Sequence, residues 1–420
     1  MHPDVAVVSL FLPETLAEPW AAYRTLRDHA PVYEVPGLGI KVVTRYDLVA
    51  EVIRDTETYS SGFGDFLGSG SASMLPPEAR DRIGEIRRGM LPLVDTLISA
   101  DPPLHTRYRG LVKRVFTSGR VRAMEPETDR IIAETIDTFI ETDGPVDFMQ
   151  AFAFPVPLRI IADRLGIPEA DRDFFYEGAT VAASTLRMST VSAEEAIRRA
   201  EVEADLQRYM VDLVESRRSD PREDMATVLA EARLDDERPL DPAEIWSILN
   251  QFLVAGHETT TSTFGAGMQL LCQQPGLEAS VRGEEERIRA FCEETLRLEA
   301  PVQGLPRRVT RDTVLGETSL VEGDLIMLRF GAANRDERQF PAPDTVDLFR
   351  KNPGAHFSFG SGTHHCLGAP LARQELNRGF KALLDRMGGF RMAEGKPAPV
   401  VEPSLILRGL EHLWIEFDRR

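Results

Sequence analysis

Apolar residues recur three and four positions apart, with charged residues between them, over 126–142, 146–165, 193–218 and 280–299. That spacing lays one face of a helix on a core. Strand-like runs are short and confined to two places. One is Val32 to Val43, followed by a turn and a helix from Tyr46. The other is the C-terminal half, at 307–315, 319–329, 388–393 and 413–417. There is no internal repeat and no regular strand–helix–strand alternation. The pattern predicts a mainly α fold with a small, separate β portion.

One predicted helix is unusual. Asp241-Pro242-Ala243-Glu244 supplies an N-cap, a proline at the first helical position and an acid three residues past the cap. The pattern then runs to Gln274, where Pro275-Gly276 stops it, a length on the order of 50 Å at 1.5 Å per residue. Trp246, Ile248, Leu249, Phe252, Leu253 and Val254 make its first half apolar nearly all round, so it is buried. Its centre nevertheless reads Ala255-Gly256-His257-Glu258-Thr259-Thr260. A glycine, an acid and hydroxyls at the centre of a buried helix cost stability, which some function must offset.

Composition narrows the class. A chain of 420 residues exceeds the usual single core, yet no Pro-, Gly- or charge-rich linker separates balanced halves. A single domain over 1–420, built around a large cofactor, fits that length, with Ser60–Ser73 as a loop. The net charge of -18 excludes a nucleic-acid footprint and disfavours an anionic membrane surface. No signal peptide and no run of about 18 apolar residues is evident. Three cysteines, far apart, suit a reducing compartment. The expectation is a cytoplasmic protein.

Cys366 is the exception among the three. Residues 359–368 read Phe-Gly-Ser-Gly-Thr-His-His-Cys-Leu-Gly, and Ala369-Pro370 then opens a helix. Gly360, Gly362 and Gly368 allow close backbone approach to a flat ligand. A cysteine just ahead of a helix N-terminus is favoured as a thiolate. Cys272 and Cys292 lie on apolar helix faces and read as structural thiols. A zinc site from His364, His365 and Cys366 is disfavoured, because three adjacent residues cannot easily wrap one tetrahedral ion.

The ten-residue pattern Phe-x-x-Gly-x-x-x-Cys-x-Gly resembles the cysteine loop of the cytochrome P-450 superfamily, and further motifs in the expected order extend the resemblance over nearly the whole chain. It implies the P-450 fold, an α-rich body holding haem b (iron protoporphyrin IX) between the long distal helix and the cysteine loop. Cys366 is then the iron ligand. Phe359, Gly360, Gly368 and Ala255 adjoin the haem, and His105, Arg109, Arg307 and His364 match propionate-binding positions. Glu294 and Arg297 match the family's Glu-x-x-Arg helix, with Arg350 as the third, structural member. Alone, an acid and an arginine three apart on a helix are usually a solvated pair.

Ala255 to Thr260 resembles the oxygen-handling signature. Reducing dioxygen requires protons delivered in step. Glu258 can relay them as a general acid-base group, and Thr259 can bond back to the preceding turn and loosen the helix there. Small residues at Ala255 and Gly256 leave space over the haem. The resemblance implies a monooxygenase that hydroxylates or epoxidises a hydrophobic small molecule such as a terpenoid, steroid, aromatic or fatty acyl compound, using O2. Gln251, Val254, Leu305, Ile406 and Leu407 are its weaker substrate candidates, with Gln251 the polar group facing substrate. Apolar Phe63, Phe66, Leu67, Met90, Leu91 and Leu97 within 62–100 suit a lid. No flavin or Fe–S motif is present, so electrons are expected from a ferredoxin with an NAD(P)H reductase, docking near Arg107, Lys113, Arg114 and His365. A peroxide-driven peroxygenase is disfavoured by the Glu258-Thr259 pair, and a non-catalytic haem sensor would need neither residue.

Overall fold

The computed structural model describes Val5 and residues 9–63, 75–184, 191–234 and 238–420, so Phe66 and Leu67 of the expected lid lie outside the described residues. The chain forms two compact units, each from separated stretches. The first comprises Met1–Ser60, Ser118–Pro157 and Glu258–Arg420; the second comprises Ser61–Thr117 and Leu158–His257.

The first unit contains both larger sheets. Strands β1 (Val32–Val35), β2 (Ile40–Val43), β3 (Tyr59–Ser60), β5 (Gly304–Val309) and β6 (Leu325–Arg329) form one sheet in the order β1-β2-β6-β5-β3. Only β2 and β6 run parallel, Leu328 facing Val43. Helix α1 (Tyr46–Arg54) buries Leu48, Val49, Val52 and Ile53, and these join Val43, Tyr59, Ile326 and Leu328 in one apolar cluster. The second sheet has the order β7-β8-β4, from Met387–Met392, Trp414–Arg419 and Val146–Asp147. Helices α4 (Glu125–Asp137), α8 (Glu285–Leu298) and α9 (Ala369–Arg386) pack with α9 in the middle.

The helix expected over 146–165 starts later than its periodicity suggests. Val146 and Asp147 pair with Ile415 and Trp414. Asp147 Oδ1 accepts the N–H groups of Met149 and Leu413, at 3.2 and 3.1 Å, which turns the chain off the sheet edge. A π-helical turn at Met149–Ala153 follows, and the α-helix itself, α5, spans Pro155–Leu165. A local aspartate bond thus overrides the apolar spacing.

The second unit is helical, with α2 (Pro77–Arg88), α3 (Leu104–Val112), α6 (Ala193–Arg217) and the first half of the long helix α7 (Pro242–Gln273). The expected capping box forms: Glu244 N–H donates to Asp241 Oδ1 at 2.9 Å, and Asp241 N–H to Glu244 Oε2 at 2.8 Å. Tyr108 Oη–H also donates to Glu244, at 2.6 Å. The irregular segment 91–98 is clamped from two helices. Gln207 on α6 both accepts from and donates to the Leu91 backbone, at 2.7 and 3.0 Å, and Ser247 Oγ on α7 accepts from Val94 N–H at 2.8 Å. Among the described residues no helix is long and apolar enough to cross a membrane.

Candidate active site

In the first unit, the cysteine loop is shaped by two left-handed glycines, Gly360 and Gly362, both at φ +61°. A side chain at either position would be strained. Cys366 N–H donates to Phe359 O at 2.8 Å, closing the loop, and α9 begins three residues later. A Cβ added to Gly368 would lie 3.9 Å from Cys366 Sγ, so the glycine leaves the sulfur next to bare backbone at a helix start. Cys366 is partly exposed. The other two thiols are not poised for reaction: burial pushes Cys272 up to about 12 and Cys292 well above its ordinary value. Among the described residues no three His, Cys, Asp or Glu side chains gather as metal ligands.

The loop is anchored from behind by a buried polar network. Asn334 Oδ1 accepts from Phe357 N–H at 2.7 Å, its Nδ2 donates to Ser358 Oγ at 2.9 Å, and Ser358 Oγ donates to Leu296 O at 2.6 Å. Arg297 reaches Asn334 O at 3.0 Å while pairing twice with Glu294, and Arg350 Nε binds Glu294 at 2.8 Å. The Glu294–Arg297–Arg350 trio is therefore structural, as expected. Burial pushes the Glu294 carboxyl up, but hydrogen bonds from Arg297 and Arg350 outweigh it and hold the pKa below the ordinary value.

A second network beside the loop had no sequence signal. Glu293 accepts from Arg373 at 2.6 and 3.0 Å and from His356 Nε2 at 3.2 Å, while His356 Nδ1 accepts from Ser358 N–H at 3.2 Å. The Arg373 guanidinium stacks on the Phe359 ring, 4.4 Å from its centroid, a cation–π contact at the first residue of the motif. Its members lie on three elements 63 and 80 residues apart, a separation that no periodicity can bridge.

Other predicted residues of this unit are placed as follows. Arg307 is buried on β5 and donates to Pro306 O at 2.7 Å; His364 is partly exposed in the short turn Gly362–His364. Leu305 starts on the segment that the C-terminal loop borders: Gln303 N–H donates to Ile406 O at 2.6 Å, and Val302 bridges Leu407. Glu258 is buried and Thr259 partly exposed on α7. The helix stays α-helical through Thr259. Thr263 Oγ1 bonds to Thr259 O at 2.8 Å as an addition to the helical ladder.

In the second unit, His105 is buried on α3 with the partly exposed Arg109 one turn on. Burial, with the Arg109 charge second, lowers the His105 pKa, which leaves it neutral at neutral pH with one N–H to donate. Ala255 is exposed midway along a helix otherwise largely buried, and Val254 is partly exposed. Two expectations are corrected. Gly256 does not simply leave room over a cofactor, since a Cβ there would meet Ile161 at 3.0 Å; it permits helix packing. Gln251 does not offer its amide to a substrate. Its Oε1 accepts from Ile98 N–H at 2.9 Å and its Nε2 donates to Thr96 Oγ1 at 2.7 Å, so it completes the clamp on 91–98. His257 is fully buried, its Nδ1 on Leu253 O at 2.8 Å.

The cysteine turn, the bare backbone at its sulfur and the basic side chains Arg307 and His364 in the same unit fit a haem. Comparison with known proteins agrees. The family profile described as Cytochrome P450 matches residues 183–408. The chain is 34% identical over 392 residues to mycinamicin IV hydroxylase/epoxidase of Micromonospora griseorubida, covering 92% of each protein. It is 32% identical to 6-deoxyerythronolide B hydroxylase of Saccharopolyspora erythraea, covering 95% of this chain and 96% of that protein. Among solved structures, CYP109E1 from Bacillus megaterium in complex with corticosterone superposes with a TM-score of 0.81 at 28% identity, over 96% of this chain and 99% of that one.

Proposed function

Because the chain belongs to the cytochrome P450 family and is a haem-dependent monooxygenase, we propose that it hydroxylates or epoxidises a hydrophobic small molecule of the terpenoid, steroid, aromatic or fatty acyl classes. The electrons come from a ferredoxin and an NAD(P)H reductase, and the exposed Arg107, Lys113, Arg114 and His365 are the basic groups available to an acidic donor. The observation that carries the reading is the Cys366 turn, with its sulfur beside Gly368 and ahead of α9. The steroid class draws support from the relative solved with corticosterone.

Haem, when bound, supplies activation of O2 and insertion of one oxygen atom, with the other leaving as water. Cys366 would hold the iron, Phe359, Gly360 and Gly368 would shape the turn around it, and Arg307 and His364 would hold propionates. His105 and Arg109 are the further propionate candidates, and Ala255 leaves the helix face open. Glu258 moves protons as a buried acid, and the Thr259 hydroxyl next to it passes them on. Val254, Leu305, Ile406 and Leu407 supply apolar surface for substrate.

A CO difference spectrum of the reduced protein tests the first link, and the absence of a thiolate-type Soret band from the wild type would refute it. A screen of hydrophobic compounds for low-to-high-spin shifts then identifies the substrate class. Turnover with peroxide but with no ferredoxin would replace the monooxygenase reading with a peroxygenase one.

A further inference from the structure

The acid at the centre of α7 needs a route to solvent. The C-terminal segment Val401–Leu410, in the same unit, meets the second half of that helix at Gly409 and Leu410. A Cβ added to Gly409 would lie 2.5 Å from Ser262 Oγ and 4.0 Å from Glu258 Oε1. Ser262 and Glu258 are one turn apart on one helix face, and both are buried, at 4% and 5% exposure. Across the segment, Val401 bridges Leu410 in antiparallel fashion, flanked by bonds from Glu402 N–H to Gly409 O and from Glu411 N–H to Val400 O, each 3.2 Å. Glu402 and Gly409 therefore face one another. Residues opposed across an antiparallel pair project to the same side, so Glu402 projects to the side on which Gly409 meets Ser262 and Glu258. Glu402 and Gly409 are partly exposed, which orders the groups from solvent inward.

The segment is held in place. Ser404 Oγ accepts from Ile406 and Leu407 N–H at 3.2 and 3.0 Å, and Arg408 N–H donates to Pro301 O at 2.9 Å. The Arg408 side chain binds Glu299 at 2.7 Å.

We propose that Glu402 is the entry point for protons bound for Glu258, that the Ser262 hydroxyl passes them on, and that Gly409 is required because any side chain there would turn that hydroxyl away. The proposal rests on the reading of Glu258 as the proton donor. In the transfer, a protonated Glu402 gives its proton toward the Ser262 oxygen as the hydroxyl's own proton moves to the Glu258 carboxylate. Solvent then reprotonates Glu402; no electrons move.

The test uses Glu402→Gln, Ser262→Ala and Gly409→Ala in the haem-loaded protein with its reductase system, alongside Glu402→Asp, which keeps the acid. The first three should lower coupled turnover by about tenfold and raise peroxide release and the solvent isotope effect. That is less than the ~100-fold or more a positioned acid contributes, since water partly replaces a remote donor. Glu402→Asp should restore coupling. A readout without turnover is the pH-difference infrared spectrum of the haem-free protein, where the carboxyl band lost in Glu258→Gln should shift in Glu402→Gln. If Glu258→Gln uncouples the enzyme while Glu402→Gln and Ser262→Ala leave coupling, isotope effect and infrared band unchanged, the proposed route is wrong and the role of Glu258 stands. If Glu258→Gln itself leaves coupling unchanged, the relay reading fails and this route fails with it.

Discussion

Replacing Arg297 by lysine keeps a positive charge at the same place and still should be among the most damaging single changes outside the catalytic groups. The guanidinium is fully buried and makes five bonds. Two go to the Glu294 carboxylate, at 2.7 and 2.9 Å, and three go to the carbonyls of Asn334, Pro343 and Thr345, at 3.0, 2.6 and 3.0 Å. An ammonium has three donors on a flexible stem and cannot copy the planar fork. At least two acceptors lose their partner, and of the residues that supply them Glu294 and Asn334 are fully buried. Each buried acceptor left unpaired costs about 1–3 kcal/mol, and breaking a buried ion pair outright costs about 3–5 kcal/mol. The expected loss is thus about 3–5 kcal/mol.

The damage should also be directional. Arg297 holds Asn334 O, and the side chain of Asn334 holds the Phe357–Ser358 start of the cysteine loop. Urea unfolding of the haem-loaded variant, followed in parallel by far-UV circular dichroism and by the CO-bound Soret band, separates the two effects. In Arg297→Lys the thiolate-type band should disappear at a lower urea concentration than the helical signal, whereas in the wild type the two transitions should lie closer together. A loss of less than about 1 kcal/mol, the range of an exposed ion pair, would refute the argument that the trio anchors the loop. So would coincident transitions in the variant.

Further changes test other parts of the reading. Cys366→Ser should abolish the thiolate-type band, while Cys292→Ala and Cys272→Ser should retain it, because burial keeps both of those groups as thiols. Glu258→Gln and Thr259→Ala should each raise peroxide released per NAD(P)H consumed, and unchanged coupling in both would remove them from proton delivery. Gln251→Leu should cost about 1–3 kcal/mol by orphaning the buried Thr96 hydroxyl and releasing the exposed Ile98 N–H; hydrogen exchange at Ile98 should quicken, a change that a substrate-binding role alone would not cause. Burial pushes the Glu244 carboxyl up, but bonds from Arg238 and Tyr108 hold it at about 2. Its stabilisation is therefore full above the unfolded carboxylate value of about 4.5 and is lost as pH falls from there toward about 2. Glu244→Gln should flatten the acid limb of the stability curve in that window, and an unchanged limb would count against the pairing.

What could be read in the sequence follows from how far apart the interacting groups lie. The Cys366 turn was legible because its glycines, its cysteine and the following helix start all fall within about a dozen consecutive residues, and each local requirement is fixed by backbone geometry. The capping box at Asp241 and Glu244 was legible for the same reason. Gln251, expected to face substrate, turns to other partners. A polar side chain on a face can turn to any neighbour, and its actual partners, Thr96 and Ile98, lie about 150 residues away in an irregular segment. Gly256 shows the same limit, since only the tertiary neighbour Ile161 reveals that packing needs it. Glu294 and Arg297 lie between these cases: three apart on a helix they resemble any solvated pair, and only Arg350, supplied by the family pattern, separates the two readings. His356, Glu293 and Arg373 had no such guide. Their closeness to Phe359 arises only when three elements distant in sequence pack together, so the cysteine loop's own shape was written locally while the charges that support it were not.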